Sequence, residues 1–230
     1  MKTLIVSIIT CLAFTLSSTA QSGCSKYYPF YEGAVSQLSL YNAKGKQEGM
    51  VEYHVLTVTN NGESETANMA MKLIDDKGQE ISVSEYSATC SDDVVSIDFK
   101  SLMRPEMLSG FGDVDAEVTG TNMDLPNKLS VGQTLPDSEM NIKISLSGIK
   151  MNMNTLITDR KVIDKETITT PAGTFECYVI TQSMQMKSMA SNQKSTSKTW
   201  IAEGVGVVKS EDYKKNGKLR GTSLLTAFSK

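Results

Sequence analysis

The sequence predicts an all-β protein of about a dozen antiparallel strands with one short helix. Apolar and polar residues alternate along several segments, and this two-residue period is typical of strands with one buried face. Residues 139–147 show it most clearly, because Met140, Ile142, Ile144 and Leu146 all point to one side. Segments rich in Gly, Pro, Asn and Asp separate such strands at hairpin spacing.

The strands and turns follow one another in a regular order. The alternation recurs at residues 51–55, 69–73, 95–99 and 149–153. Turn signals stand at residues 60–62, 75–78, 170–173 and 216–217. In the third of these, Pro171 presets φ for the second turn position, and Gly173 tolerates the positive φ that ends the turn.

One segment has helical spacing instead. Between residues 100 and 111, the apolar side chains Leu102, Met103, Met107 and Leu108 form two pairs, with Met103 and Met107 four residues apart as on one face of a helix. Ser101 is a candidate N-cap, and Pro105 limits the helix to a first turn or introduces a kink. We expect this short helix to plug one end of the β structure.

The first twenty residues have the form of a signal peptide. Lys2 precedes an uncharged apolar run, and Ser18, Thr19 and Ala20 supply the small residues of a cleavage site. The sequence thus predicts a signal peptide at residues 1–20 and a single β domain at residues 21–230. The chain is expected to be exported, periplasmic or extracellular, and peripheral to the envelope.

Cleavage leaves three cysteines, because Cys11 lies within the signal peptide. Cys24 and Cys90 both adjoin turn-like polar residues, and an oxidising compartment favours a disulfide between them. Cys177 lies within a strand and is expected to be a buried free thiol. Two alternatives stay open: three free thiols, or a lipid anchor on Cys24. For that anchor Gln21 stands where a lipobox has a branched apolar residue.

Composition narrows the range of partners. The 23 basic and 26 acidic residues give a net charge of −3, which becomes −4 when Lys2 leaves with the signal peptide. No basic patch with interleaved aromatic residues is present, which argues against a nucleic-acid partner. No second apolar run exists, so no membrane-spanning segment is expected after cleavage. The oligomeric state stays open.

The sequence offers little for catalysis. Its one histidine, His54, lies in a strand pattern without a neighbouring nucleophile, and a single histidine disfavours the usual zinc sites. No glycine-rich phosphate loop follows a strand or begins a helix. We therefore expect no enzyme, no cofactor, no catalytic residue and no metal site.

Methionine is unusually prominent. Twelve methionines remain after cleavage, and six of them form three Met-x-Met pairs, at 69/71, 151/153 and 184/186. Two side chains spaced by two residues on a strand point the same way. Thioethers suit Cu(I), so copper handling is one alternative. Methionine also fills irregular apolar space and lines adaptable apolar surfaces, and this second interpretation is favoured.

Three stretches together resemble the TapB-like family of exported envelope proteins, a domain of unknown function. They are CSKYYPFYEG at 24–33, ETITTPAGTFECYVIT at 166–181 and KTWIAEGVGVVKSE at 198–211. The resemblance implies an antiparallel open or half β-barrel with a helical plug, loosely similar to envelope carriers of lipids and lipoproteins. It implies no catalytic residues.

The leading hypothesis is a non-enzymatic envelope protein whose curved sheet holds an apolar ligand, such as a lipid or a lipidated protein. The expected lining combines aliphatic and methionine side chains of three strands: Met140, Ile142, Ile144, Met151, Met153, Met184 and Met186. The rival is a structural or protein-interaction module of the envelope, which would have a filled core and an exposed apolar patch.

Overall fold

The computed structural model describes residues 23–98, 116–146 and 149–230, and for residues 116–117, 144–146 and 149–151 it describes the backbone alone. These residues form thirteen β-strands and, within the described ranges, no helix. The strands are β1 (Val35–Asn42), β2 (Gln47–Asn60), β3 (Glu65–Asp75), β4 (Glu80–Ser91), β5 (Val94–Ile97), β6 (Ala116–Gly120), β7 (Met123–Pro126), β8 (Ser138–Leu146), β9 (Ile149–Thr170), β10 (Gly173–Ser188), β11 (Asn192–Ala202), β12 (Gly206–Lys214) and β13 (Leu219–Ser229).

All thirteen strands belong to one antiparallel sheet, which confirms the predicted fold class. The order across the sheet is β6-β8-β9-β10-β11-β12-β13-β1-β2-β3-β4-β5-β7. Most neighbours in the sheet are also neighbours in sequence, as expected for strands joined by hairpins. The predicted helix at residues 100–111 lies outside the described residues.

The sheet is unclosed, but its two edges meet. β6 forms one edge and β7 the other, and only Thr121 and Asn122 separate them in the chain. Two residues span roughly 7 Å when extended. The backbone N–H of Thr121 still donates to Glu139 O at 2.8 Å, beside the first edge. We call this meeting point of the β6 and β7 edges the seam.

A buried arginine links the two sides of the seam. Arg160 on β9 is 3% exposed, and its Nη1 donates to Asp124 O at 3.0 Å and to Pro136 O at 2.6 Å. Asp124 belongs to the edge strand β7, whereas Pro136 leads into β8 on the other side. Burial lowers the pKa of Arg160, while Tyr28, Asp124 and Asp137 raise it. One cationic side chain therefore links the edge strand β7 to the segment that leads into β8, the neighbour of the other edge strand.

The predicted hairpin turns are present at the expected places. Residues 60–62, 75–78, 170–173 and 216–217 join β2 to β3, β3 to β4, β9 to β10 and β12 to β13. Gly173 has a φ of +138°, a conformation that L side chains rarely adopt, which explains the glycine after Pro171. Local turn chemistry thus determines four of the connections between strands.

Both faces of β10 are buried, unlike those of a simple half-exposed strand. Cys177 and Val179 pack in a cluster with Trp200, Val208 and Leu225. Tyr178 and Ile180, which alternate with them along the strand, pack in a different cluster that contains Tyr27, Leu135 and Val162. Successive strand residues point to opposite faces, so β10 lies between two apolar clusters. Burial raises the pKa of the free Cys177 thiol to about 11.

The chain before β1 fills part of the interior. Tyr27 is 1% exposed, and its ring meets that of Tyr178 edge-on with centroids 6.2 Å apart. The predicted disulfide between Cys24 and Cys90 is present and attaches this segment to β4. Asn127 holds it again, because its Nδ2 donates to Cys24 O at 2.7 Å. Residues 23–34 are therefore an ordered internal segment.

Candidate functional site

A cavity of about 270 Å³ lies between this N-terminal segment and the sheet. Strands that are far apart in the sheet order contribute to its wall, so the sheet curls around it. The wall is formed by Tyr28 and Pro29 of the N-terminal segment, by Ser36, Leu38, Tyr53, Met69, Tyr86, Ile97 and Met123 of the strands from β1 to β7, and by Thr199, Val205, Gly206, Val207, Ser210 and Ser223 of the region from β11 to β13.

The N-terminal segment forms one side of the cavity by packing against the turn before β12. Gly206 has a φ of +89°, and a Cβ added there would lie 3.6 Å from Tyr28 Cδ1 and 3.8 Å from Pro29 Cδ. Glycine is therefore required by the backbone conformation rather than by lack of space. Two of the three stretches that carry the family resemblance, 24–33 and 198–211, thus meet at the cavity wall.

Three tyrosines give the wall its hydrogen-bonding groups on one side. The rings of Tyr53 and Tyr86 stand nearly perpendicular, with centroids 6.4 Å apart. Burial raises the pKa of Tyr28 to about 12, and it also raises the pKa values of Tyr53 and Tyr86. The phenols of Tyr53 and Tyr28 and the carboxylate of Asp98 further raise the pKa of Tyr86, so these groups lie close together. All three are uncharged donors at neutral pH.

A row of aliphatic hydroxyls forms a second polar region. Thr199, Ser210 and Ser223 stand directly opposite one another on β11, β12 and β13. The Oγ atoms of Ser210 and Ser223 are 2.7 Å apart and share one hydrogen bond. Apart from Ser36 and Gly206, the remainder of the described wall consists of aliphatic, proline and methionine side chains. The cavity is thus apolar with two groups of neutral hydroxyls.

Among the residues that the structure describes, no aspartate, glutamate, lysine, arginine or histidine lines this cavity. Among the described residues, no group of three or more His, Cys, Asp or Glu side chains is arranged to hold a metal ion. His54 lies on β2 opposite Val35 and Ala70 and is half-buried, away from the cavity wall. The wall can accommodate apolar groups and donate or accept hydrogen bonds.

The seven residues expected to line the ligand site share one face of β8, β9 and β10. The register places Ile142 opposite Met153, and Met184 opposite Ile157. Met140 and Ile142 are almost fully buried, and Met153, Met184 and Met186 are half-buried. The side chains of Ile144 and Met151 are outside the description. None of the other five lines the 270 Å³ cavity, and their role in binding stays a prediction.

The remaining Met-x-Met pair, Met69 and Met71, lies elsewhere in the sheet. Met69 and Met71 are buried on β3, and Met69 contributes to the cavity wall.

A second, more open depression of about 530 Å³ is bordered by Ile142 and Met153. That depression is rich in Asn141, Asn152 and Asn154 and in lysine. Copper binding by the pairs stays a hypothesis.

Sequence reasoning missed the tyrosines and the hydroxyl row. Tyr53 shares one predicted strand face with Val51 and Val55. The local sequence does not show whether that face lines a cavity or a filled core. The positions of Ser210 and Ser223 become meaningful only when β12 and β13 are paired. The one available signal was the resemblance motif that contains Tyr28 and Pro29.

Two solved structures share this fold. One, from Bacteroides fragilis NCTC 9343, is classed provisionally as an exported protein with a YmcC-like fold. It superposes with a TM-score of 0.75 at 22% identity, covering 90% of this chain and 100% of that one. The other, from Parabacteroides distasonis ATCC 8503, is classed provisionally as a lipoprotein. Its TM-score is 0.74 at 23% identity, with coverages of 89% and 99%.

These likenesses establish the fold. The disulfide agrees with the predicted export of the chain. No curated protein matches the sequence significantly. Within the described ranges, no helix is long and apolar enough to cross a membrane. A family model described as DUF3108-like matches residues 31–225. Since that match covers most of the chain, the chain belongs to the DUF3108-like family.

Proposed function

We propose that this protein is an exported, non-enzymatic binding protein that holds a small apolar ligand inside its curled sheet. The cavity between the N-terminal segment and the sheet is the observation that supports it. Binding sites of this kind are concave, mostly apolar and provided with a few placed polar groups. The wall described above has that composition. The TapB-like resemblance stays a prediction beside the DUF3108-like assignment.

The size of the cavity limits the ligand. Small-molecule sites typically enclose roughly 300–1,000 Å³, and 270 Å³ lies at the lower end. One short alkyl chain or a small ring system fits this space. A lipid with several acyl chains does not, so any larger lipid would insert only one chain.

The interaction-module hypothesis has less support. Ile81 and Val83 point the same way on β4 and are 50% and 48% exposed. Monomeric proteins commonly expose apolar patches of about 300–600 Å² without a partner. Two aliphatic side chains amount to less than such a patch. The concave, largely apolar cavity is the more specific observation.

A substitution that fills the cavity tests the proposed function. We expect the protein to bind the neutral fluorescent probe N-phenyl-1-naphthylamine, and Ser223→Phe to reduce its affinity at least tenfold by occupying the same space. Fluorescence titration measures both. The matched control is Thr222→Phe, because Thr222 is adjacent on β13 and points to the opposite face.

Folding controls and two possible results decide whether the proposed function is wrong. Circular dichroism and thermal melting must show that both variants fold. Equal probe affinities for the wild type, Ser223→Phe and Thr222→Phe would place binding outside the cavity. Absence of binding by the wild type to this probe and to other uncharged apolar compounds of similar size would contradict the proposed function.

A further inference from the structure

The described part of the cavity wall offers hydrogen bonds but no charge, and this determines which ligands it can stabilise. Its polar side chains are those of three tyrosines and four hydroxyl residues: Tyr28, Tyr53, Tyr86, Ser36, Thr199, Ser210 and Ser223. Among the described residues, the three phenols have no hydrogen bond to another described side chain. They are therefore available to a ligand group that enters the cavity.

A charged ligand would lose its hydration without gaining an opposite charge. Moving an ion out of water costs several kcal/mol unless a partner of opposite charge compensates it. Arg160 is close enough to lower the pKa of Tyr28, but it does not line the cavity, and its Nη1 is bound to two carbonyl oxygens. Asp124 and Asp137 also lie close enough to Arg160 to raise the pKa of its guanidinium. Among the described residues, Arg160 is the cation that acts on Tyr28. Its Nε has no hydrogen-bond partner, but the guanidinium lies outside the cavity wall and beside Asp124 and Asp137, so it is not positioned to receive a carboxylate in the cavity.

We propose that the cavity selects uncharged amphiphiles, such as medium-chain alcohols, over carboxylates of the same length, with the hydroxyl end held by Tyr28, Tyr53 and Tyr86. This inference rests on the proposed function and specifies its ligand class. The apolar chain then contacts the side chains of Leu38, Met69 and Ile97. A phenol can donate a hydrogen bond to an alcohol oxygen or accept one from its hydroxyl.

Competition between two matched ligands tests this selectivity. 1-Decanol and decanoate have the same chain length and differ in charge at pH 8. We expect decanol to displace N-phenyl-1-naphthylamine from the wild-type protein at a concentration at least tenfold lower than decanoate does. Lowering the pH to 5 increases the neutral fraction of decanoate, so its displacement strengthens, whereas displacement by decanol does not change.

Removal of the phenolic hydroxyls tests their role. The triple variant Tyr28→Phe/Tyr53→Phe/Tyr86→Phe should lower the ratio of decanol affinity to probe affinity about fivefold to tenfold, since one hydrogen bond contributes about 1 kcal/mol. The single variants Tyr53→Phe and Tyr86→Phe give the same measurement if the triple variant fails to fold. Tyr41→Phe is the control, because Tyr41 lies on β1 outside the cavity wall.

The outcomes separate the two proposals. If the probe binds the cavity but decanoate competes as well as decanol, charge selectivity is wrong while the proposed function stands. An unchanged affinity ratio in the tyrosine variants likewise overturns the assigned role of the phenols. Tighter binding of decanoate would instead indicate that Arg160 receives an anion, and it would also overturn the inference. Failure of the probe to bind contradicts the proposed function itself.

Discussion

Replacing Arg160 with methionine is expected to lower the free energy of unfolding by about 3 kcal/mol. The substitution removes the charged donor from Asp124 O and Pro136 O, and hydrogen bonds to a charged group each contribute about 1.5–3 kcal/mol. Methionine recovers part of the packing. For a protein of this size, the melting temperature should fall by about 6–12 °C. Urea unfolding and calorimetry measure the two quantities.

Lys161→Met provides the matched control for this prediction. Lys161 is the next residue on β9, it is exposed, and its substitution should change stability by less than about 0.5 kcal/mol. If Arg160→Met were as stable as the control, the guanidinium would not hold the seam. Hydrogen exchange adds a spatial test, since the loss of protection should concentrate around β7 and the start of β8.

Loss of the Cys24–Cys90 disulfide should have an effect of similar size. The two cysteines are 66 residues apart, and the chain-entropy model assigns about 4 kcal/mol to a cross-link closing such a loop. The double variant Cys24→Ala/Cys90→Ala should lose this stability in denaturant unfolding. Because the disulfide attaches the segment that carries Tyr28 and Pro29, probe affinity should also fall.

Cys177→Ala distinguishes the cross-link from the general cost of replacing a buried cysteine. It removes a buried thiol but leaves the disulfide intact, so its effect should be about 1–2 kcal/mol, with probe affinity maintained. Reduction of the wild type should reproduce the double variant. Equal stability of the reduced and oxidised wild type would show that Cys24 does not constrain the N-terminal segment.

The strands and turns were predictable because their causes are local. Alternation at residues 139–147 determines which face of β8 is buried, and Pro171 and Gly173 determine the turn between β9 and β10. The disulfide followed from turn-like surroundings of Cys24 and Cys90 in an exported chain. The shared face of Met140, Ile142 and their partners also follows from strand periodicity and hairpin pairing.

The cavity could not be predicted in the same way because it depends on contacts between distant parts of the chain. Tyr28 lies beside Gly206, and the disulfide and Asn127 hold the N-terminal segment against other distant parts of the chain. The seam is equally non-local, since β6 and β7 join opposite edges although two residues separate them. Alternation identifies buried faces, but it does not show whether the space between them is filled.

The central claim is that the curled sheet contains a bound small molecule in the envelope. Native mass spectrometry of the protein purified from its own envelope tests this most directly. We expect an additional mass of one small uncharged amphiphile on the wild type and on Thr222→Phe, and its loss from Ser223→Phe. Wild-type protein that carries no additional mass, and that takes up none of the uncharged probes, would contradict the claim.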